Sequence, residues 1–199
     1  MEEFKDYVSF DLEFNEAEGI QHLLQVSAIK YVNHQEIERF DTYVHTTVHI
    51  RSFITGLTGI TQDKIKNAPP LVEVLRDFKA FVGDFPLMGY NGRKSDIPVL
   101  QSHGLDLEAQ YQIDVYEIAQ EMKPTYLSGS KWLSLKAVAE YIGLKGQAHN
   151  SLEDAKMTAE VYQGLLELKA NESYLDQQEV VTNNPFAGLG LAGLFGEDE

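Results

Sequence analysis

The first 45 residues of the chain contain segments in which hydrophobic and polar positions alternate at the period of two that is typical of strands. A first strand is predicted over residues 7–14, which are rich in aromatic and β-branched side chains. Two more are predicted over residues 22–32 and 36–45, with a turn at Asn33 and His34 between them. Because no helical pattern separates the three segments, we expect them to form an antiparallel meander.

Beyond residue 69 the pattern changes to helical spacing interrupted by short apolar segments. After two prolines, hydrophobic residues from Leu71 to Phe81 recur one helical turn apart, which predicts a helix over residues 71–82. Short strands are predicted over 86–90 and 111–114, and further helices over 95–103, 115–122, 134–142 and 151–169. Three strands followed by alternating helices and strands predict an α/β protein with a mixed sheet flanked by helices.

The segment from residue 171 to residue 199 differs in composition from the rest of the chain. It carries six acidic residues without a lysine or arginine, and its last part is rich in glycine and apolar residues. We therefore expect a folded domain over residues 1–170 and a flexible acidic and apolar C-terminal tail over residues 171–199.

The composition supports one domain and limits the chemistry available to it. A chain of 199 residues with 43% hydrophobic content can bury one full core. The absence of cysteine excludes disulfides, cysteine nucleophiles and thiolate metal sites, and it fits a reducing cytoplasm. The acidic N-terminus lacks the pattern of a signal peptide and no apolar stretch is long enough for a bilayer. We therefore expect a cytoplasmic protein without a membrane partner.

The formal net charge of −15 bears on the kind of partner that the chain can have. A protein that coats nucleic acid passively carries a basic face, so this charge argues against such a role. A nuclease is not excluded, because carboxylates that bind divalent metals count as negative in a formal sum that omits the metals.

Asp11 and Glu13 are the first candidates for chemistry. They lie two residues apart in the first predicted strand, so both side chains point to the same face. Their neighbours Phe10 and Leu12 are typical of a buried central strand, in which an acidic pair requires a reason. Two adjacent carboxylates raise each other's pKa unless a cation lies between them, and their hard oxygens suit Mg²⁺ or Mn²⁺. The alternative is a solvated acidic pair on an exposed strand.

Three more residues become candidates through their spacing. Asp96 begins a predicted helix, where an aspartate is usually a cap. His149 precedes the helix over residues 151–169, for which Ser151 is the expected N-cap, and Asp154 lies in its first turn. Loop and helix can therefore direct the imidazole and the carboxylate to one place. The alternative is a capped helix with an acid that complements its dipole and a surface histidine.

Taken together, the Asp11-x-Glu13 pair, Asp96 and the His149-x4-Asp154 pair resemble the three sequence motifs of the DEDDh 3′–5′ exonucleases. That superfamily includes the epsilon subunit of DNA polymerase III and ribonuclease T. The resemblance covers about residues 6–168, including segments 25–30 and 55–61 and an aspartate, Asp114, that opens the helix after the fifth strand. It implies a ribonuclease H-like fold with a five-stranded sheet, in which three antiparallel N-terminal strands are followed by parallel strands.

The resemblance also implies a role for each residue of the motifs. Asp11, Glu13 and Asp154 are expected to bind one Mg²⁺, while Asp11 bridges to a second ion that Asp96 binds, and Mn²⁺ is expected to substitute. His149 is expected to act as the general base that takes a proton from the attacking water. The implied reaction releases nucleoside monophosphates from the 3′ ends of single-stranded DNA or RNA.

Two stretches depart from the usual pattern of the superfamily. Phe14 follows the first motif, as in members that often act on RNA. Tyr90-Asn91 and Ser95-Asp96 replace the more common His-Asn and Phe-Asp pairs. Bases of a single strand stack on aromatic and apolar side chains, for which Phe14, Leu57 and Tyr90 are candidates. Asn91, next to Tyr90 in the second motif, is the fourth candidate substrate-binding residue. Candidate cations for the phosphates are Arg93, Lys94, Lys131, Lys136 and Lys145.

The sequence leaves two alternatives to a nuclease of the DNA proofreading or repair type. One is an exoribonuclease that acts on RNA 3′ ends or on short oligoribonucleotides. The other is an interaction module that associates with a DNA polymerase or a sliding clamp through its tail. Segment 191–195 loosely resembles short clamp-binding motifs, although it lacks their leading glutamine.

Overall fold

The computed structural model of the protein describes residues 3–144 and 150–183. Within them, five strands form one sheet in the order β3-β2-β1-β4-β5. The strands are β1 (Tyr7–Ala17), β2 (Ile20–Val32), β3 (Gln35–Tyr43), β4 (Leu87–Gly89) and β5 (Gln112–Asp114). The β1–β2 and β2–β3 pairs are antiparallel, whereas the β1–β4 and β4–β5 pairs are parallel. The predicted α/β fold with a mixed five-stranded sheet is thus confirmed.

Two tight turns connect the first three strands. Glu18 and Gly19 join β1 to β2 with φ angles of 55° and 77°, and Asn33 and His34 join β2 to β3 with φ angles of 50° and 61°. Two successive left-handed residues form the hairpin turn whose twist matches that of the flanking strands. The turn predicted at Asn33 and His34 is therefore present, and the meander needs no helix between its strands.

Seven helices accompany the sheet in the described part of the chain. They are α1 (Ser52–Thr58), α2 (Gln62–Ile65), α3 (Leu71–Val82), α4 (Asp96–Ser102), α5 (Val115–Met122), α6 (Leu135–Tyr141) and α7 (Ser151–Asn183). The bounds of α3 and α5 are those that the sequence predicts, whereas α1 and α2 were not predicted. Both of these helices are short, and they bury one residue each, Ile54 and Ile65.

The C-terminal helix differs most from its predicted extent. α7 continues to Asn183, beyond the predicted end at residue 169, so the proposed boundary at residue 170 falls inside a helix. The division into a domain and a tail stays a prediction. Residues 184–199, including segment 191–195, lie outside the described residues, as do Lys145 and His149. None of the described helices is long and apolar enough to cross a membrane.

One face of the sheet packs against α3 and α4 through a purely apolar cluster. β1 contributes Val8, Phe10 and Leu12, all of which are buried. The ring centroid of Phe78 on α3 lies 6.0 Å from that of Phe10 and 5.8 Å from that of Phe40 on β3. This face holds α3 against the three antiparallel strands.

The opposite face of the sheet is covered by α5, α6 and α7. Near the start of β1, the ring of Tyr7 packs edge-on against Tyr162 of α7 at 5.7 Å between centroids. Further along, the hydroxyl of Ser9 donates a hydrogen bond of 2.6 Å to the backbone oxygen of Ala155 in α7. α7 therefore runs along β1, and this packing changes from aromatic to polar as the helix approaches its N-terminus.

A bulge in β2 positions the first two helices. Phe14 pairs with Leu23, whereas Glu13 pairs with Gln25, so Leu24 is an extra residue in β2. Such an extra residue does not follow the alternation of side chains between the two faces of the sheet. Leu24 is fully buried in a separate small cluster with Ile50, Ile54, Ile60 and Ile65. That cluster holds α1 and α2 beside the end of β1.

Candidate active site

β1 presents two carboxylates on the face that α7 covers. Asp11 pairs across the sheet with Ser27, and Glu13 pairs with Gln25. Phe10 and Leu12 point to the other face, where they are 2% and 5% exposed. Strand alternation therefore places both carboxylates on the same face, as the sequence predicts.

Asp96 reaches the same strand from α4. It is the first residue of that helix and is only 7% exposed. Its carboxylate accepts a hydrogen bond from the hydroxyl of Ser95, and the backbone of Leu12 in β1 is close enough to lower its pKa. Asp96 therefore lies beside the part of β1 that carries Asp11.

Two glycines allow this approach of α4 to the sheet. A Cβ on Gly89, the last residue of β4, would lie 3.2 Å from the Cα of Gly92 and 3.3 Å from the ring of Phe10. The backbone oxygen of Gly92 accepts a hydrogen bond of 2.9 Å from the backbone nitrogen of Ile97. A larger residue at Gly89 would push the loop, and Asp96 with it, away from β1.

Asp114 fixes the loop that leads to Asp96. Its carboxylate accepts hydrogen bonds from the backbone nitrogens of Asn91, at 2.9 Å, and Arg93, at 3.1 Å. The same side chain caps α5 by accepting from the nitrogen of Tyr116 at 3.1 Å. Asp114 thus opens the helix after the fifth strand, as the sequence predicts, and it orders the loop before Asp96 as well.

Asn150, and not Ser151, caps α7. The side-chain oxygen of Asn150 accepts from the backbone nitrogens of Leu152 at 3.1 Å and Glu153 at 3.3 Å. The predicted N-cap was therefore wrong by one residue. The hydroxyl of Ser151 instead forms a hydrogen bond of 2.5 Å with the hydroxyl of Ser27 on β2.

A polar network ties the first turn of α7 to the sheet. Ser27, fully buried, donates to a carboxylate oxygen of Asp41 at 2.8 Å, and Gln25 donates to the same oxygen at 2.7 Å. Ser27 therefore joins β3, β2 and α7 directly beside Asp11. Because Ser151 and Asp154 are three residues apart in a helix, fixing Ser151 also fixes the turn from which the Asp154 side chain extends.

Sequence reasoning missed this network. The signal that was available is the pair of polar residues, Gln25 and Ser27, within the segment 23–29, whose other residues are all apolar. Only the strand register shows that they face Glu13 and Asp11.

The electrostatics of the site show that four carboxylates share one place. Burial, followed by the charges of Asp96, Asp154 and Glu13, raises the pKa of Asp11 well above its ordinary value. Burial and the charges of Asp154 and Asp96 raise the pKa of Glu13 to about 7. Burial raises the pKa of Asp96 to about 6, although hydrogen bonds from Ser95 and the backbone oppose the shift.

The donor set fits hard divalent cations. Mg²⁺ and Mn²⁺ prefer carboxylate oxygens, and Asp11, Glu13, Asp96 and Asp154 would supply them. No three acidic or histidine side chains in the described part of the chain are gathered tightly enough to enclose an ion.

Comparison with known families identifies this arrangement. The exonuclease family of ribonuclease T type matches residues 8–162, which include β1, α4 and the first turns of α7. The chain belongs to this exonuclease family. The resemblance to the DEDDh exonuclease superfamily is thereby confirmed.

The curated relatives of this exonuclease chain are much longer than the chain itself. The PolC-type DNA polymerase III of Caldanaerobacter subterraneus subsp. tengcongensis is 30% identical over 164 residues, which are 81% of this chain and 12% of the polymerase. The chain thus spans about one eighth of the length of that relative.

Solved structures of other exonucleases share the fold. The nuclease domain of 3′hExo, a DEDDh family member bound to rAMP, aligns with a TM-score of 0.67 and 20% identity, covering 82% of this chain and 92% of that domain. The zinc-bound form of the Escherichia coli ExoI–ssDNA complex aligns with a TM-score of 0.70 and 15% identity, covering 88% and 43% of the two chains.

The candidate substrate-binding residues of the exonuclease chain occupy different environments. Phe14 is half-buried against the apolar cluster that contains Leu12, so its ring is largely committed to packing. Leu57 is 40% exposed on α1. That helix adjoins β1 because the side chain of Asn15 bonds to the backbone of His49 and Arg51 at 3.2 and 3.1 Å. Base stacking on Phe14 and Leu57 stays a prediction.

Tyr90 and Asn91 lie in the loop between β4 and Asp96. The phenol of Tyr90 donates to the backbone oxygen of Leu133 at 2.6 Å, and its ring packs edge-on against Tyr116. Asn91 has a φ of 60°, a left-handed conformation that asparagine tolerates better than most residues. Both residues help to shape the loop, and their contacts with a substrate stay predictions.

Proposed function

We propose that this exonuclease chain hydrolyses single-stranded nucleic acid from the 3′ end in a metal-dependent reaction that releases nucleoside monophosphates. The observation that carries the proposal is the placement of Asp11 and Glu13 on one face of β1, with Asp96 of α4 and Asp154 of α7 close enough to raise the pKa of Asp11. Clusters of ionisable groups with strongly raised pKa values are typical of functional sites.

In this proposal the four carboxylates hold two Mg²⁺ ions, for which Mn²⁺ can substitute. Asp11, Glu13, Asp96 and Asp154 would hold these ions. Bound ions of this kind lower the pKa of the attacking water and stabilise charge on the leaving 3′-oxygen. Four negative carboxylates balance two divalent cations, so a phosphate group can approach without net repulsion.

We assign the proton transfer to His149. The sequence places it directly before Asn150, which caps the helix that carries Asp154. An imidazole titrates near neutral pH and can take a proton from water at the working pH of most enzymes.

The charge distribution favours the approach of an anion despite the net charge of −15. Three segments lack acidic residues entirely, namely 42–62, 85–95 and 122–139. They carry six cationic residues, of which Arg93 pairs with Glu117 and Lys136 with Glu140; the other four are Arg51, Lys94, Lys123 and Lys131. Segment 85–95 leads directly to Asp96, and segment 42–62 adjoins β1 through Asn15. A locally positive surface beside an active site raises the rate at which anionic substrates arrive.

The substrate is proposed to be DNA, in a proofreading or repair reaction in the cytoplasm, as the match to a PolC-type polymerase suggests. The alternative is RNA, because a structural neighbour was solved with rAMP. Association with a DNA polymerase or a sliding clamp through residues 171–199 is a further proposal, which rests on the sequence of segment 191–195.

A degradation assay tests the proposal and decides between DNA and RNA. Single strands of both kinds, labelled at the 5′ end, are incubated with Mg²⁺, Mn²⁺ or EDTA. We expect a descending ladder with either metal and full-length substrate with EDTA. A matched substrate with a 3′-phosphate should be degraded far more slowly, because the site accepts a free 3′-hydroxyl. Immediate release of a 5′-labelled mononucleotide would contradict the 3′–5′ assignment.

A further inference from the structure

A groove adjoins the loop that leads to Asp96. It has a volume of about 790 Å³ and is lined by residues that include Tyr90, Asn91, Lys94, Tyr116, Trp132 and Leu135. Lys94 lies two residues before Asp96, so one wall of the groove is formed by the loop that leads to this carboxylate. Its walls combine aromatic rings with a cationic side chain.

Trp132 projects from a well-anchored loop between α5 and α6. Its side chain is exposed, with 66% of its surface accessible, although Leu127 and Ser130 nearby are buried. The hydroxyl of Ser130 donates to the backbone oxygen of Trp132 at 2.7 Å, and Tyr90 donates to that of Leu133. The backbone on both sides of the indole is thus held in place while the ring faces solvent.

The surroundings of Trp132 are cationic. The amino group of Lys131 lies 5.5 Å from the centroid of the indole ring. Segment 122–139 carries three lysines without an acidic residue, in a chain whose net charge is −15. No ion pair with another described residue engages Lys94 or Lys131. Both amino groups can therefore interact with an anion.

We propose that this groove binds the single strand upstream of the scissile bond, with a base stacked on Trp132 and backbone phosphates beside Lys94 and Lys131. The inference rests on the proposed function, because the 3′ end then lies at the carboxylates and the preceding nucleotides follow the groove. Exposed aromatic rings combined with nearby cations are the means by which proteins hold single strands without reading their sequence. A purely apolar ligand would make no use of the two amino groups.

Fluorescence tests the contact without requiring hydrolysis, because Trp132 is the single tryptophan of the chain. The probe is an oligothymidylate about a dozen nucleotides long, protected at its 3′ end by phosphorothioate linkages and added with Mg²⁺. We expect saturable quenching of the emission as a base stacks on the indole. The matched control is the double variant Trp132→Phe and Val72→Trp, which moves the tryptophan to the outer side of α3, where residue 72 is 73% exposed. It should not be quenched.

Kinetics with two substrate lengths complete the test. Trp132→Ala should raise KM for the long oligonucleotide by about 5-fold or more, the range that base stacking supports. The rise in KM for a dinucleotide should be several times smaller, because a dinucleotide does not reach the ring. Trp132→Phe should restore most of the affinity, since it keeps an aromatic face.

Unquenched emission, or an equal change in KM for both lengths, would overturn the assignment of the groove. In either case hydrolysis of the long substrate by the wild type would leave the proposed function intact. Absence of hydrolysis by the wild type, with quenching still observed, would instead reject the proposed function and keep the groove as a binding site.

Discussion

The two faces of β1 differ in kind although they belong to one strand. On the side of α3, Val8, Phe10 and Leu12 are all buried in an apolar cluster. On the side of α7, the apolar start of the strand gives way to Asp11 and Glu13, whose pKa values are raised. Apolar burial stabilises the fold, whereas crowded carboxylates oppose it. The comparison teaches that stability and chemistry are divided between the two faces.

The largest expected effect on catalysis without an effect on stability concerns His149. Replacing it with alanine should lower turnover by about 10²–10⁴-fold, the usual contribution of a general base. The melting temperature and the Mg²⁺ concentration for half-maximal activity should change little, because we assign no metal to this residue. Asp154→Asn is the matched comparison and should shift the metal dependence. Near wild-type turnover in His149→Ala would reject histidine as the base.

On the apolar face, Phe78→Ala should have the opposite effect: it should lower stability and leave turnover unchanged. Removing this buried ring should lower the free energy of unfolding by about 3–5 kcal/mol, as measured by chemical denaturation. The control is Val72→Ala on the exposed side of the same helix, which should change it by no more than about 0.5 kcal/mol. Turnover per folded molecule should stay near that of the wild type in both variants. A loss of turnover without a loss of stability in Phe78→Ala would break the division between the faces.

Ser27→Ala tests the link between the sheet and α7. Loss of the hydroxyl leaves Ser151 and Asp41 with one buried partner fewer, which should lower the free energy of unfolding by about 1–3 kcal/mol. The Mg²⁺ concentration for half-maximal activity should rise, because the first turn of α7 directs Asp154. Ser128→Ala, at an exposed serine, is the control for both measurements. An unchanged metal dependence in Ser27→Ala would mean that the network is structural only.

The crowded carboxylates also predict a pH dependence of stability in EDTA. The pKa of Glu13 rises from 4.5 to about 7, and that of Asp96 from 3.8 to about 6, chiefly through burial. The folded state therefore binds more protons than the unfolded chain between these values, so stability falls as pH rises from about 4 to about 7.

Thermal melts in EDTA across this range should show the decline. Glu13→Gln should flatten it, because one of the titrating groups is removed. Saturating Mg²⁺ should oppose the decline, since a divalent cation favours the ionised carboxylates. A melting temperature in EDTA that rises from pH 5 to pH 7 would contradict the raised pKa values.

Helices with strong end signals could be predicted from the sequence, and weakly marked ones could not. Pro70 before α3 and Gly83 after it define the ends of that helix, and Asp114 caps α5. By contrast, α1 begins after Arg51 without a side-chain cap and buries one residue. A pattern with a single buried position has no period that a sequence could reveal.

The candidate site was predictable in its residues but not in its supporting contacts. Asp11, Glu13, Asp96 and Asp154 follow from spacing and resemblance, and their side chains influence one another in the structure. The contact between Ser27 and Ser151 depends on a strand register that includes the bulge at Leu24. A bulge inserts one residue and reverses the alternation beyond it, which hydrophobic patterning alone does not reveal.

The cap of α7 shows how two neighbouring polar residues can exchange expected roles. Both asparagine and serine are favourable N-caps, so residues 150 and 151 are not distinguished by propensity. The structure assigns the cap to Asn150 because Ser151 is fully buried against Ser27. Tertiary contacts decide between them.

Paired measurements on Asp11→Asn test the central claim most directly. We predict a variant that is folded and at least as stable as the wild type in EDTA at pH 7. The reason is that the substitution removes one charge from a site where Asp96, Asp154 and Glu13 repel it. The same preparation should give no ladder from a 5′-labelled single strand with Mg²⁺, and Mg²⁺ should raise its melting temperature less than that of the wild type. A variant that degrades the strand at the wild-type rate, or melts several degrees below the wild type in EDTA, would contradict the account.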